Sequence, residues 1–480
     1  MSSVREVAGA EEVEADKDAS TGTDRHRCRC REYGHADLFI SRVEKKYPRH
    51  HVRIPSGGGT IVDVNAPADS ADVRRRNLGL VLRYLDAHGP CARTEVAVGT
   101  GLVHATVTAL VAELIDRGLV AEAGSVPSAG RGRPRRLLRL VPERVVVLAA
   151  QVSLESVHVM AADFQGHVLH RESAPHHAPY GDPRALAAVI GCVVRSAEAA
   201  VRNATPHAHL AQLTVAMAGP VVGPSHLVAA AIDFGWHSTD LRALVAAELP
   251  LLDCPVDVVN DANMAALAEY HALAADGVEH PDTVAFIKAD TGVGGGLLVN
   301  GRVHSGSHGM AGEIGHLPIA LDGPDCRCGT RGCLATYIGP EPLIHAAGLD
   351  AVAESEGGEA ALAELDRRLR AGDPAAVDAL EAAGHALGAA VLGVSGVTDA
   401  GEIILGGYLA TWAPWLMPGL DARLAGRRAL APDMQPVITF GVLGGEATLR
   451  GAFQTCRDAL LDDPTSVPAL PRTPVTVPSP

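Results

Sequence analysis

The chain has 480 residues, 47% of them hydrophobic, and a formal net charge of −15. That length and composition allow two or three domains with buried cores and exclude a fibre or a wholly disordered chain. No uninterrupted apolar run approaches the ~20 residues of a membrane helix, and Met1–Glu6 followed by Glu11, Glu12 and Glu14 lacks a signal peptide's basic-then-apolar order. Cytoplasmic residence and no membrane partner are therefore expected. Cys91, Cys192, Cys254 and Cys456 are scattered and form no disulfide framework, in keeping with a reducing compartment.

Residues 1–70 mix acidic, His-rich and Gly-rich pieces without a sustained apolar period and are expected to be a disordered extension. His26, Cys28, Cys30 and His35 sit there at tight spacing, and incidental residues explain them as well as a metal would. Residues 71–141 then hold 11 arginines, no lysine and 6 acidic residues, a net +5 that leaves −20 on the rest. A basic segment on an acidic body favours a phosphate backbone as its partner.

Within that segment the spacing of Leu78, Val81, Leu82 and Leu85 predicts a helix stopped by Gly89-Pro90. A short helix over 93–98 runs into Gly99-Thr100-Gly101, and a third over 103–117 turns Val107, Leu110, Val111 and Leu114 inward. His104, Thr106 and Thr108 face outward where base edges would be read, although Val103 is a poor N-cap. A β-ribbon follows, tipped by Gly130-Arg131-Gly132-Arg133-Pro134-Arg135-Arg136, a loop suited to a minor groove or to phosphates. The pattern is a winged helix-turn-helix with His104, Thr106, Thr108, Arg131, Arg133 and Arg135 as DNA contacts; a protein-docking module is the blander alternative.

From 142 to 463 short apolar strands alternate with helical stretches: 145–150, 213–218, 256–259, 283–287 and 402–405. This is an α/β pattern, which places ligands beyond the carboxyl ends of strands. There the chain carries Gly219-Pro220-Val221, Asn260-Asp261-Ala262-Asn263, Thr291-Gly292-Val293-Gly294-Gly295-Gly296 and Gly312-Glu313-Ile314-Gly315-His316. His316, Cys326, Cys328 and Cys333 follow, four donors able to close a tetrahedral Zn²⁺ shell in a chain with only nine cysteines. Residues 464–480 hold six prolines and are expected to be a tail.

Together with Arg75-Arg76-Asn77 and the Gly-Arg-Gly-Arg-Pro wing, these motifs resemble the ROK family (repressors, open reading frames, kinases) over about residues 71–460. The resemblance implies an actin-like, two-lobed sugar-kinase (ASKHA) fold behind the winged helix-turn-helix, a sugar site in the cleft, and zinc on His316, Cys326, Cys328 and Cys333. It makes Asp261 the base that would take a sugar hydroxyl's proton during phosphoryl transfer, and Asn260, Asp261, Glu313 and His316 the sugar contacts. A cap at a strand end is the structural alternative for Asp261.

The sequence departs from the family's kinases on the phosphate side. Where those carry Asp-x-Gly-Gly-Thr, this chain has Gln151-Val152-Ser153-Leu154-Glu155, and Asp290 replaces a glycine before Thr291-Gly292. Ser153 and Leu154 obstruct backbone approach to phosphates, and Glu155 and Asp290 would each repel one by about 4 kcal/mol at ~4 Å and a dielectric near 20, unless they bind Mg²⁺. Ala335 stands where a sugar-contacting Glu is usual. The expected function is a ligand-responsive transcriptional regulator, a repressor by preference, acting on promoter DNA as a homodimer or tetramer with a sugar or sugar derivative as effector. The alternatives are an ATP- and Mg²⁺-dependent sugar kinase, alone or combined with regulation, and a zinc-stabilised interaction protein that has lost sugar binding.

Overall fold

The structure, a computed structural model, describes residues 69–126, 135–223 and 226–471. The extension before Asp69, with its His/Cys group, and the wing tip bearing Arg131 and Arg133 lie outside the described residues.

Helix α1 (Ser70–His88) starts where the Asp69 carboxylate accepts from the Ala71 N–H, and it buries Leu78, Val81, Leu82 and Leu85 as the spacing predicts. After β1 (Cys91–Ala92), α2 (Arg93–Thr100) and α3 (His104–Asp116) meet at a bend of 115°, with Gly101 at φ +72°. Strands β2 (Val120–Val126) and β3 (Arg135–Leu140) complete a three-stranded antiparallel sheet ordered β1-β3-β2. Arg135 pairs with Val126 at the end of this ribbon, so it belongs to the strand and not to the loop in which the sequence places it. Val103 does occupy the N-cap of α3 without a side-chain bond.

Behind this segment stand two five-stranded sheets. The first is ordered β11-β7-β4-β5-β6, from β4 (Val145–Val152), β5 (Ser156–Asp163), β6 (Val168–Pro175), β7 (His209–Met217) and β11 (Val256–Asn260). Between β7 and β11 lies a small sheet of β8 (Val221–Val222), β9 (Leu227–Ala231) and β10 (Trp236–Thr239). The second large sheet is ordered β14-β13-β12-β15-β16, from β12 (Thr283–Ala289), β13 (Val293–Val299), β14 (Arg302–Val303), β15 (Glu402–Gly407) and β16 (Val437–Phe440). Both are mixed, with parallel pairs β4–β7, β7–β11, β12–β15 and β15–β16, as two helix-covered lobes require.

Pro374–Thr398 is, among the described residues, the helix with the length and hydropathy of a membrane span. It buries Leu380, Leu387 and Val391 in a lobe core, where Gly384 lets the carbonyl of Leu416 approach closely. Its apolarity is thus accounted for by helix packing.

Two helices connect the body to its N-terminal segment. α4 (Asp261–Ala275) follows β11, and α5 (Ala447–Asp462) packs along it because Gly451 lacks a Cβ; one there would lie 1.9 Å from the Met264 carbonyl oxygen. Toward its other end α5 meets α1, where a Cβ on Gly79 would lie 2.1 Å from the Leu461 carbonyl oxygen. Leu82, Leu110, Val145, Phe453, Leu460 and Val467 consequently belong to one continuous apolar cluster.

The expectation of a tail from residue 464 fails for its first part. Pro464–Ser466 forms a 3₁₀ turn, Val467 is fully buried, and the Arg117 guanidinium donates to the carbonyls of Thr465 (3.0 Å) and Val467 (2.6 Å). Proline forbids a continuing helix, but it does not prevent a short segment from docking on an apolar surface and an arginine.

Candidate functional site

A cavity of about 480 Å³, within the range of small-molecule sites, opens between the ends of β4, β11 and β12. Asp261 enters it from the first turn of α4. The helix begins there because Asn260 caps it, its Oδ1 accepting from the Asn263 N–H at 2.8 Å, and an acid in the first turn suits the helix dipole. The Asn260 amide also donates to the Gly219 carbonyl at 3.0 Å. The cap that the sequence suggests for the Asn-Asp pair is therefore Asn260, which leaves Asp261 pointing into the cavity and Asn260 with one spare N–H for a ligand.

Glu313 and His316 also line the cavity. Burial, and secondarily the negative charge of Asp261, pushes the Glu313 carboxyl up to about 7, with no protein hydrogen bond opposing the shift. A half-buried carboxyl with no hydrogen-bond partner among the described residues is open to a ligand hydroxyl. Burial lowers the His316 imidazole below its ordinary range against the pull of Asp233, favouring the neutral ring that a metal needs.

The four predicted metal ligands come together, each offering one donor atom and all four atoms lying within 4.8 Å of one another. His316 Nδ1 is 3.6 Å from Cys326 Sγ, and Cys328 Sγ is 3.7 Å from Cys333 Sγ. Zn–S bonds of about 2.3 Å give a tetrahedron with edges of about 3.8 Å, which these two separations match, so the donor set is one that fits zinc. Burial pushes the Cys326 thiol up to about 12, whereas at Cys328 the hydroxyl and amide of Thr330 outweigh burial and lower it. Thr330 Oγ1 lies 3.2 Å and 3.0 Å from the Cys328 and Cys333 sulfurs, a hydroxyl placed to steady two thiolates. With Nδ1 on the cysteine side, Nε2 is the ring atom left for other partners.

On the opposite wall the two loops that the sequence reading places on the phosphate side are occupied by their own side chains. Ser153 Oγ accepts from the amides of Ser156 (3.1 Å) and Glu155 (3.4 Å), and the Ser153 carbonyl is held by the buried His176 ring at 2.9 Å. Leu154 lines the cavity, but Glu155 is exposed and does not, so the repulsion expected from Glu155 is absent. Asp290 is not a bare charge either: its carboxylate takes Lys288 Nζ at 2.8 Å and lies 3.4 Å from the Gly292 amide. Lys288 also donates to Asp261 at 2.7 Å. Burial alone would lower the Lys288 pKa, but the charges of Asp261 and Asp290 outweigh it and hold the ammonium protonated. The same ammonium outweighs burial at Asp290 and keeps that carboxyl below its ordinary range.

Lys288 is the residue that the sequence reading omits. Its signal is a lysine inside the apolar run Val284–Ala289, since a buried ammonium must find carboxylates. Ala335 does not reach the cavity wall.

Of the expected DNA contacts, His104, Thr106 and Thr108 are exposed on the first half of α3, with Thr108 Oγ1 donating to the His104 carbonyl at 2.9 Å. Arg135 is exposed and 3.8 Å from Glu95, while Arg136 and Arg93 both pair with Glu122. The base of the ribbon is therefore partly neutralised from within.

The sequence pattern of the ROK family matches residues 155–459. Kanosamine kinase of Amycolatopsis mediterranei is 34% identical over 56% of this chain and 82% of its own. The transcriptional dual regulator NagC of Escherichia coli is 24% identical over 73% of this chain and 84% of its own. Among solved structures, a ROK family transcriptional regulator described as a homologue of the E. coli MLC protein superposes with a TM-score of 0.66 at 23% identity, covering 82% of this chain and 97% of that one. A ROK glucokinase from Streptomyces griseus, in complex with glucose and AMPPNP, reaches 0.53 at 25% identity, covering 65% of this chain and 99% of that one.

Proposed function

This chain belongs to the ROK family, and from that premise we propose that it is a sugar-responsive transcriptional regulator, a repressor by preference, that reads promoter DNA through residues 71–141 and binds a sugar or sugar derivative in the cavity. The observation that carries this reading is the occupied phosphate wall. Ser153 and Asp290 engage amides of the two loops that stand where the family's kinases hold phosphates, and Ser153-Leu154 occupies the place of the first loop's glycine pair. The opposite wall keeps Asp261, Glu313 and His316 directed at a ligand. The wider reach of the regulator's superposition, 82% of the chain against 65% for the glucokinase, supports a regulator's architecture.

Zinc on His316, Cys326, Cys328 and Cys333 would tie the segment bearing Glu313 and His316 to the lobe. Bound there, it supplies structural cross-linking. His104, Thr106 and Thr108 would enter a major groove and Arg131, Arg133 and Arg135 would reach phosphates or a minor groove, in a homodimer or tetramer on paired half-sites. α5 supports coupling between sugar and DNA. Thr448 Oγ1 at its start donates to the Asp261 carbonyl at 3.3 Å, and at its end Arg83 pairs with Asp462 while Arg117 grips Thr465 and Val467. A change in lobe closure is thus transmitted to α1 and α3 through packed side chains.

The test is fluorescence anisotropy with DNA from upstream of the protein's own gene against scrambled DNA, at two salt concentrations, with and without D-xylose, D-glucose, N-acetyl-D-glucosamine or kanosamine. Preferential, salt-steep binding shifted by one sugar about 5- to 150-fold is expected. DNA affinity unmoved by a sugar that binds the cavity overturns the coupling. The kinase alternative rests on Asp261 at the helix start and on the likeness to kanosamine kinase. Sugar-dependent ATP turnover abolished in Asp261→Asn would establish it instead.

A further inference from the structure

Four carboxylates, Asp233, Asp261, Asp290 and Glu313, line one cavity, and Lys288 is the one lysine or arginine among its described lining residues. Lys288 reaches two of them, Asp261 and Asp290, by a route that the sheet leaves open. Its cross-strand neighbours on β13 and β15 are both glycines, Gly294 and Gly406. A Cβ on Gly406 would come within 3.5 Å of Lys288 Cβ, and one on Gly294 would meet Ala262 at 2.8 Å and lie 3.7 Å from Lys288 Cε. The aliphatic stem thus runs between two bare backbones and delivers the ammonium 2.7 Å from Asp261 Oδ2 and 2.8 Å from Asp290 Oδ2, with the lysine side chain only 5% exposed.

Beside a phosphoryl-transfer base the positive charge ordinarily arrives with the metal–nucleotide complex. Here a positive charge is built into the strand, next to the wall whose phosphate-facing amides are already engaged. We propose that Lys288 is a positioning residue for the sugar site, a resident counter-ion that fixes the Asp261 carboxylate toward the cavity without nucleotide, with Asp290 as its second anchor. The proposal rests on the sugar-binding reading given above. With Oδ2 of Asp261 committed to an ammonium, Oδ1 is the carboxylate oxygen left to meet a sugar hydroxyl. Site chemistry thereby moves from base catalysis toward recognition.

The experiment is calorimetric titration of the full-length, zinc-loaded protein and its variants with D-glucose, D-xylose, N-acetyl-D-glucosamine and kanosamine. For a sugar that binds the wild type, Lys288→Met is expected to weaken affinity about tenfold or more, because Asp261 and Asp290 are left without their shared cation. Asp290→Asn should weaken it least. The double variant K288M/D290N should fall between the two, recovering part of the loss because one negative charge has gone while the same methionine fills the same space. A purely packing role would leave the double variant as weak as K288M, and that result, or wild-type affinity in K288M, overturns the inference while sparing the sugar reading. Should K288M fail to fold, D290N and K288M/D290N carry the comparison, and equal affinities there overturn it. No binding of any of the four sugars to the wild type removes the sugar reading and this inference together.

Discussion

The two walls of the cavity treat their polar groups in opposite ways. On the metal-side wall, donor atoms stand free or ready: Glu313 has no side-chain hydrogen bond among the described residues, and four Cys/His donor atoms lie within 4.8 Å of one another. On the phosphate-side wall, donors and acceptors are consumed internally: Ser153 caps its own loop, Asp290 takes the Gly292 amide, and Lys288 is shared by two carboxylates. A cavity can satisfy the polar groups of one wall with nearby side chains and keep the other wall open, since burying those groups unpaired would cost more.

Breaking the metal-side wall should have the largest effect. Cys333→Ala is expected to drop bound metal from near one per chain to near zero by plasma mass spectrometry, and to cost several kcal/mol of stability in denaturant titrations, because metal binding to a preformed set contributes directly to folding. Unchanged metal content would defeat the comparison outright. The phosphate-side wall is sharpened by nucleotide calorimetry: Mg-ATP should bind with a Kd weaker than about 1 mM, a binding free energy no better than about −4 kcal/mol. Micromolar binding would show that internal capping does not close that wall.

Two smaller effects lie away from the cavity and set the scale of changes that touch neither wall. Val103→Ser should stabilise the protein by about 1 kcal/mol, seen as a higher denaturation midpoint, because it supplies the side-chain cap that α3 lacks. At Glu446, hydrogen bonds from Arg171 and then Arg450 hold the carboxyl down at about 2. A depressed carboxyl stabilises the fold above its unfolded pKa near 4.3 and loses that contribution as the pH falls toward 2. The group is 40% exposed, so Glu446→Gln should cost no more than about 1 kcal/mol at pH 7 and nothing at pH 2.

Much of this was legible in the chain. The apolar periods of α1 and α3 were readable because a helix buries one stripe, and Leu78, Val81, Val107 and Leu114 are all buried there. The metal ligands were readable because a tight loop keeps Cys326, Cys328 and Cys333 neighbours in space as well as in sequence. Other features were hidden. Glu155 and Asp290 read alike as carboxylates near phosphates, yet one faces solvent and the other faces a lysine. The docking of Val467 could not be read from a proline-rich stretch, because its partners, Arg117 and the α1–α5 apolar cluster, lie far away in sequence.

By itself, then, the sequence determined what depends on nearest neighbours along the chain: helix faces, strand runs, the order of the metal donors, and the family to which the motifs belong. Only the tertiary structure decided which charges face each other. Asp261, Lys288 and Asp290 come from α4, from β12 and from the turn that follows it, whose registry is set by sheet pairing and by the close packing of α4, and the chemical meaning of each depends on the other two. Electrostatic roles are properties of distance and burial, and neither is a function of position in the chain.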